Sequence, residues 1–192
     1  MRNLSSRITH YKDMANNKKL IFLTGQMASG KSYLGKKIAD QLNLNFIDTD
    51  KYIEEKQKKS INEIFEISGE SFFRQLEFEL LTDLLEIPNP TLIATGGGFP
   101  CFNNNAKRMY ECGLVIHLKP AKALLEENIS NGLRHRPLLK NQNIDVIDFL
   151  EKQYTSRSSH YEKAHILVSL KSRNEGYTHL IDRLSPFFKP KM

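Results

Sequence analysis

Lys31 and Ser32 close the run Gly25-Gln26-Met27-Ala28-Ser29-Gly30-Lys31-Ser32. The run fits G-x-x-x-x-G-K-[ST], the phosphate-binding P-loop, and each fixed position answers a demand of a polyphosphate. Gly25 and Gly30 permit backbone angles that a Cβ would forbid, so successive N–H groups can turn inward around phosphate oxygens. Lys31 supplies a mobile charge for the β- and γ-phosphates, and the Ser32 hydroxyl suits Mg²⁺. A helix starting here adds the positive end of its dipole. The competing explanation, a glycine-rich turn with an incidental lysine, leaves the flanking pattern unexplained.

Phosphoryl transfer also needs an acceptor, and other residues must choose it. Phe46-Ile47-Asp48-Thr49-Asp50 places two carboxylates two residues apart at the end of an expected strand. At strand period both point to one side, where ligands gather in open α/β sheets. One carboxylate near Mg²⁺ and one near an acceptor hydroxyl is a sensible division. The same spacing also suits a strand-end turn with solvated acids and a helix cap. Gly96-Gly97-Gly98 follows another apolar run, and its entropic cost calls for close backbone approach to a ligand or for a tight turn. Arg74, Arg136 and Arg157 are each unremarkable alone, yet arginine forks bind carboxylates and phosphates bidentately.

The elements that must position these residues are legible as alternation. Short apolar runs predict strands over 20–24, 45–47, 91–95, 114–118 and 165–169, separated by amphipathic stretches, which reads as α/β with a parallel sheet. Ser60 and Glu63 have capping-box spacing before Ile61, Ile64, Phe65 and Ile67. Gly69 is expected to end that helix, with a longer one from Glu70 to Glu86. Further helices are expected from Asp145 to Tyr161 and from Asn174 to Leu184. Residues 50–87 hold more helix than a simple crossover needs and predict an inserted substrate-binding region. Residues 128–143 are polar and carry arginines, which suits either a lid over the phosphates or an ordinary surface loop.

Bulk properties narrow the function classes. The 192 residues allow one domain with a full core, and 26% charged residues are ordinary for a globular chain. No apolar run reaches membrane-span length, and residues 1–19 lack the apolar segment of a signal peptide, so a cytoplasmic protein is expected. Of the net charge of +6, +4 falls in residues 1–19, where five basic residues face Asp13. The excess therefore lies largely at this N-terminal end, of which residues 1–17 are expected to be a flexible tail. Nucleic acid is not the expected partner, because no aromatic-basic interleaving accompanies the charge. Met14 precedes the first strand, so residues 1–13 are expected to be dispensable. Cys101 and Cys112 suggest neither a metal site nor a disulfide framework. Residues 18–192 read as a single domain, with nothing that demands more than a monomer.

Together these residues resemble the shikimate kinases, small P-loop kinases of the aromatic amino-acid pathway. The resemblance rests on GQMASGKS at 25–32, D-T-D at 48–50, G-E-x-x-F-R-x-x-E at 69–77, GGG at 96–98, R-P-L-L at 136–139 and R-x-x-x-Y at 157–161. It implies a nucleoside-monophosphate-kinase-like fold: a three-layer α/β sandwich on a five-stranded parallel sheet in the order 2-3-1-4-5. It also implies transfer of the ATP γ-phosphoryl group to the 3-hydroxyl of shikimate with Mg²⁺.

The implied roles follow position by position. Gly25, Gln26, Met27, Ala28, Ser29, Gly30, Lys31, Ser32 and Tyr33 would hold ATP, and Ser32 with Asp48 would arrange Mg²⁺. Asp50 would bind shikimate hydroxyls and accept the proton of the attacking one. Arg74 and Arg157 would clamp the carboxylate, with Glu77 orienting Arg74, while Gly97 and Gly98 offer backbone contacts. Lys31, Asp50 and Arg136 form the implied catalytic set, with Arg136 arriving on the lid.

Two departures from the family pattern carry expectations. Glu127-Asn128-Ile129 stands where many members place an arginine near adenine, so that contact is expected either to be weaker or to come from Arg134. The family's R-x-P-L-Y reads Arg157-Ser158-Ser159-His160-Tyr161 here, and the missing proline is expected to loosen the turn around Arg157. A related kinase such as a gluconate kinase, or a nucleotide-binding module without catalysis, are the alternatives.

Overall fold

The computed structural model describes residues 20–132, 146–186 and 188. The expected tail at 1–17, residues 133–143 of the expected lid, and with them Arg134 and Arg136, lie outside the described residues. Five strands form one all-parallel sheet: β1 (Leu20–Thr24), β2 (Asn45–Asp48), β3 (Thr91–Ala94), β4 (Leu114–Pro120) and β5 (Ile166–Leu170). Their order is β2-β3-β1-β4-β5, as the resemblance implied. Parallel strands need crossovers. These are supplied by α1 (Lys31–Leu42), α2 (Thr49–Gln57), α3 (Ile61–Leu85), α4 (Asn105–Cys112), α5 (Lys122–Gly132) and α6 (Val146–Tyr161), and α7 (Arg173–Leu184) follows the last strand.

Every residue of β1 is buried, because helices cover both faces of the sheet. Strand alternation divides its side chains between two cores. Ile21 and Leu23 pack with Leu34 and Ile38 of α1 and Leu180 of α7. Leu20 and Phe22 pack on the other face with Leu81 and Leu84 of α3 and Met109 of α4. Burying each such side chain contributes about 1.5–3 kcal/mol. The central strand is therefore a rigid base for the loop that follows it.

The helical stretch at 50–87 behaves largely as its sequence predicts. Ser60 accepts from the Glu63 N–H and its own N–H donates to the Glu63 carboxylate, so the capping box is present. Gly69, with φ 79° and ψ 170°, breaks α3 into two helical pieces. Around Arg157 the expectation of a looser turn is overturned. The chain stays helical through Tyr161, and the hydroxyls of Ser156 and Ser158 bond to the carbonyls of Gln153 and Thr155. Without a proline at 159 every backbone N–H there can donate within the helix, so the helix simply continues. No described helix is long and apolar enough to cross a membrane.

Candidate functional site

The donor half of the site grows from the end of β1. Gly25 has φ 151° and Gly30 has φ 90°, so both motif glycines hold angles that disfavour a side chain. A β-carbon on Gly25 would also meet the Leu118 carbonyl at 2.7 Å. Ala28 adopts φ 62° despite its β-carbon, a left-handed conformation that costs about 1–2 kcal/mol. Lys31 curls back over the loop, its ammonium donating to the carbonyls of Gly25 at 2.8 Å and Gln26 at 2.7 Å, and to Ser29 Oγ at 3.3 Å. That places a positive charge inside the turn at the start of α1, where N–H groups and the helix dipole already favour an anion.

Asp48 reaches this loop through Ser32 and Asp50 lies against Gly96, but strand alternation does not relate the two carboxylates. Asp48 ends β2 and caps α2, its Oδ1 accepting from the N–H groups of Asp50 at 3.1 Å and Lys51 at 3.3 Å. Its Oδ2 accepts from the Ser32 hydroxyl. Asp50 lies in the first turn of the helix, so the strand-period argument is corrected: a helical turn, not a pleat, separates the two carboxylates. The helix-cap alternative describes Asp48. The Ser32 hydroxyl and the Asp48 carboxylate together present hard oxygens, a donor set that suits Mg²⁺.

The three glycines after β3 join the two halves, and each yields its side-chain space to a different partner. A β-carbon on Gly96 would stand 2.5 Å from Asp50 Oδ1; on Gly97, 3.3 Å from the Met27 nitrogen in the P-loop; on Gly98, 2.9 Å from Arg74 Nη1. None of the three has a positive φ. The requirement is close approach, not an unusual turn. Gly96 N–H also donates to the buried Thr49 hydroxyl at 2.8 Å, which ties the turn to the start of α2.

Arg74 occupies the far side of that turn. Its Nη1 donates to Glu77 at 2.7 Å, while Nε and Nη2 donate to Glu70 at 3.0 and 2.7 Å. Both partners follow from helical spacing, at i+3 and i−4. The guanidinium also lies 4.0 Å from the Phe102 ring centroid, stacked where it is partly desolvated. Burial by itself would lower the Arg74 pKa, but the two carboxylates outweigh it and hold the charge in place. Glu77 is fully buried, and burial pushes its carboxyl up to about 7, opposed by Arg74 and reinforced by Asp50. Its Oε1 has no hydrogen-bond partner among the described residues and faces Gly96.

Arg157, half-buried on α6, acts electrostatically on Glu77 and on Cys101, as does Arg74 on both. Arg74 and Arg157 therefore border one region, although α3 and α6 are remote in the chain. Both cysteines are free and half-buried.

Sequence reasoning missed the wall behind the P-loop. Asn128 of α5 donates to the Ala28 carbonyl at 2.9 Å and accepts from Arg173 Nε and Nη2 at 2.9 and 2.7 Å. Arg173 also lies over the exposed ring of Tyr33, 5.5 Å from its centroid. Nothing local in the sequence pairs Asn128 with Arg173, 45 residues away. Helical spacing within the 69–77 motif is the signal that finds Glu70 as a further partner of Arg74, while no local signal sets Gly96 against Asp50.

Comparisons with known proteins converge on one family. The family model for shikimate kinase matches residues 27–185. A shikimate kinase of Clostridium botulinum (strain 657 / Type Ba4) is 42% identical over 149 residues, covering 77% of this chain and 85% of that protein. One from Azobacteroides pseudotrichonymphae is 36% identical over 167 residues, 86% of this chain and 97% of that one. Among solved structures, the shikimate kinase of Bacteroides thetaiotaomicron superimposes with a TM-score of 0.79 at 34% identity, covering 86% of this chain and 98% of that one. The Acinetobacter baumannii shikimate kinase, solved in complex with shikimate, gives 0.75 at 28% identity, covering 92% and 98%.

Proposed function

This chain belongs to the shikimate kinase family, and we propose that its residues carry the reaction as two half-sites meeting at Gly96, Gly97 and Gly98. It phosphorylates the 3-hydroxyl of shikimate from ATP. The observation that supports the division most directly is the glycine turn, where Asp50, the P-loop and Arg74 each fill the space of one absent side chain.

On the donor side, the P-loop amides and Lys31 grip the ATP phosphates, and Lys31 exchanges its bonds to loop carbonyls for phosphate oxygens. Mg²⁺ would be held by Ser32 and Asp48, directly or through water, and would neutralise charge on the phosphates. Phosphoryl transfer asks the protein chiefly for positioning and charge stabilisation. Arg136, outside the described residues, is assigned to the transferring group. Tyr33 and Arg173 lie beside the loop and are offered to the nucleoside end.

On the acceptor side, Asp50 orients the 3-hydroxyl and takes its proton. Arg74 and Arg157 bind the carboxylate. The edge of Arg74 facing Glu70 is the exchangeable one, because Glu70 is 55% exposed while Glu77 is 1% exposed. Substrate carboxylate replaces Glu70 there, and the buried bond to Glu77 keeps the fork aimed. Gly97 and Gly98 line the turn between.

A coupled assay that follows ADP release with shikimate, Mg²⁺ and ATP tests the function, with gluconate as the control acceptor. Turnover with shikimate and none with gluconate is expected. Folded, nucleotide-binding protein that phosphorylates neither would refute it.

A further inference from the structure

One buried hydroxyl lies between the two segments that the acceptor must share. Tyr161, the last residue of α6, is 1% exposed, and its hydroxyl donates to the Gly97 carbonyl at 2.6 Å. Arg157 stands one turn earlier on the same helix and acts electrostatically on this hydroxyl. The phenolic proton goes to Gly97, so the oxygen keeps lone pairs for the guanidinium, which can only donate. On its other side Gly97 packs against the backbone of Gln26 and Met27.

The Tyr161 ring is seated as firmly as its hydroxyl. It stacks on His117 with centroids 4.5 Å apart and planes 15° from parallel. His117, also 1% exposed, lies 3.4 Å through Nδ1 from the Thr24 hydroxyl and 3.4 Å through Nε2 from the Tyr154 hydroxyl. Thr24 gives its proton to the Ile116 carbonyl at 3.3 Å, which leaves its oxygen to accept from His117 Nδ1. Nε2 then accepts from Tyr154. The stack thus runs from the residue before Gly25 to the turn that faces the acceptor. Burial, with Lys31 and Lys119 nearby, pushes His117 down to about 4, and burial pushes Tyr161 up to about 12. Neither partner changes charge near neutral pH.

We propose that Tyr161 is a positioning residue of the acceptor half, its hydroxyl tying Arg157 to the glycine turn and its ring holding both in register with the P-loop. The proposal rests on the reading of Arg157 and Gly97 as shikimate contacts. The side chain touches neither substrate in this scheme; it sets the distance between two groups that do.

Tyr161→Phe removes one oxygen and keeps the ring. We expect shikimate KM to rise about 5- to 20-fold, with ATP KM within about two-fold of wild type and the melting temperature within a few degrees. Tyr154→Phe, which removes a hydroxyl from the same stack but not from the turn, should leave shikimate KM unchanged. Shikimate KM within about two-fold of wild type in Tyr161→Phe overturns the proposal. So does a parallel rise in both KM values, with or without a large fall in melting temperature, because the hydroxyl then serves the core. An equal effect from Tyr154→Phe overturns it as well. A wild-type enzyme inactive on shikimate defeats the functional reading instead, so the two failures are distinct.

Discussion

Gly96 and Asp50 are in such close register that a methyl group on the glycine would stand 2.5 Å from Oδ1 of the aspartate. The carboxylate assigned to the acceptor proton is thus placed by the absence of a side chain in another segment. Gly96→Ala must push Asp50 aside, and small displacements of a reacting group cost about a hundred-fold in rate. We expect kcat to fall by about that factor with ATP KM little changed, as Asp50→Asn should also do. Gly98→Ala, which crowds Arg74 at 2.9 Å, should instead raise shikimate KM. Steady-state kinetics with each substrate varied separates the two; a shared effect on ATP KM alone would contradict the assignment.

Arg74 and Glu70 should respond oppositely to truncation. Arg74→Ala removes a charge-assisted fork and leaves Glu77 buried without its partner, so shikimate KM should rise roughly 100-fold and stability should fall by about 3 kcal/mol. Glu70→Ala removes an exposed partner worth about 1 kcal/mol or less, and shikimate KM should hold or fall. Denaturant unfolding alongside kinetics checks both parts. A Glu70 variant as impaired as the Arg74 variant would mean that Glu70 is not the exchangeable partner.

Glu77 and His117 have opposite pKa shifts, and the signs make a specific prediction. Glu77 is raised from 4.5 to about 7, so the native state binds the extra proton in that window and its contribution to stability falls as pH rises. His117 is lowered from 6.5 to about 4, so the unfolded state binds the extra proton and stability rises with pH over pH 4–6.5. Between pH 4.5 and 6.5 the two slopes oppose each other. Glu77→Gln leaves only the histidine slope, and unfolding free energy should then climb by about 1 kcal/mol per pH unit across that range. Urea titrations at half-unit intervals measure it; a variant profile parallel to wild type would show that Glu77 has no raised pKa.

Asn128 holds the Ala28 carbonyl and orients Arg173, two tasks on the nucleotide side only. Asn128→Ala should raise ATP KM about 5- to 10-fold, the scale of losing one or two buried hydrogen bonds, and leave shikimate KM alone. Arg173→Ala should reproduce most of that effect. Isothermal titration with ATP provides the check, and an unchanged nucleotide affinity in both variants would sink this role.

The residues that were legible in the sequence are those whose geometry is set within one segment. The P-loop angles follow from glycines at fixed offsets after an apolar strand, and the Arg74–Glu77 and Arg74–Glu70 pairs follow from helical period. The capping box at Ser60 and the break at Gly69 belong to the same class. The glycine turn was visible as a cost that needed an explanation, and the five strands emerged from their apolar runs to within a residue or two. Asp48 and Asp50 show the limit of that reasoning. The two carboxylates are visible in the sequence, but strand period does not reach Asp50, because Asp48 caps a helix with its own side chain.

Everything that joins segments waited on the tertiary structure. Gly96 meets Asp50, Gly97 meets Met27, Asn128 meets Arg173 and Tyr161 meets Gly97 only because the sheet runs β2-β3-β1-β4-β5 and brings its strand ends to one edge. Helical and pleated periods are local properties of a few consecutive dihedral angles, so residue types reveal them directly. Contacts between remote segments depend instead on how two buried cores set the register of every crossover at once. The chemistry of this protein was therefore written in its residue types, and the distances across which that chemistry acts were decided by packing.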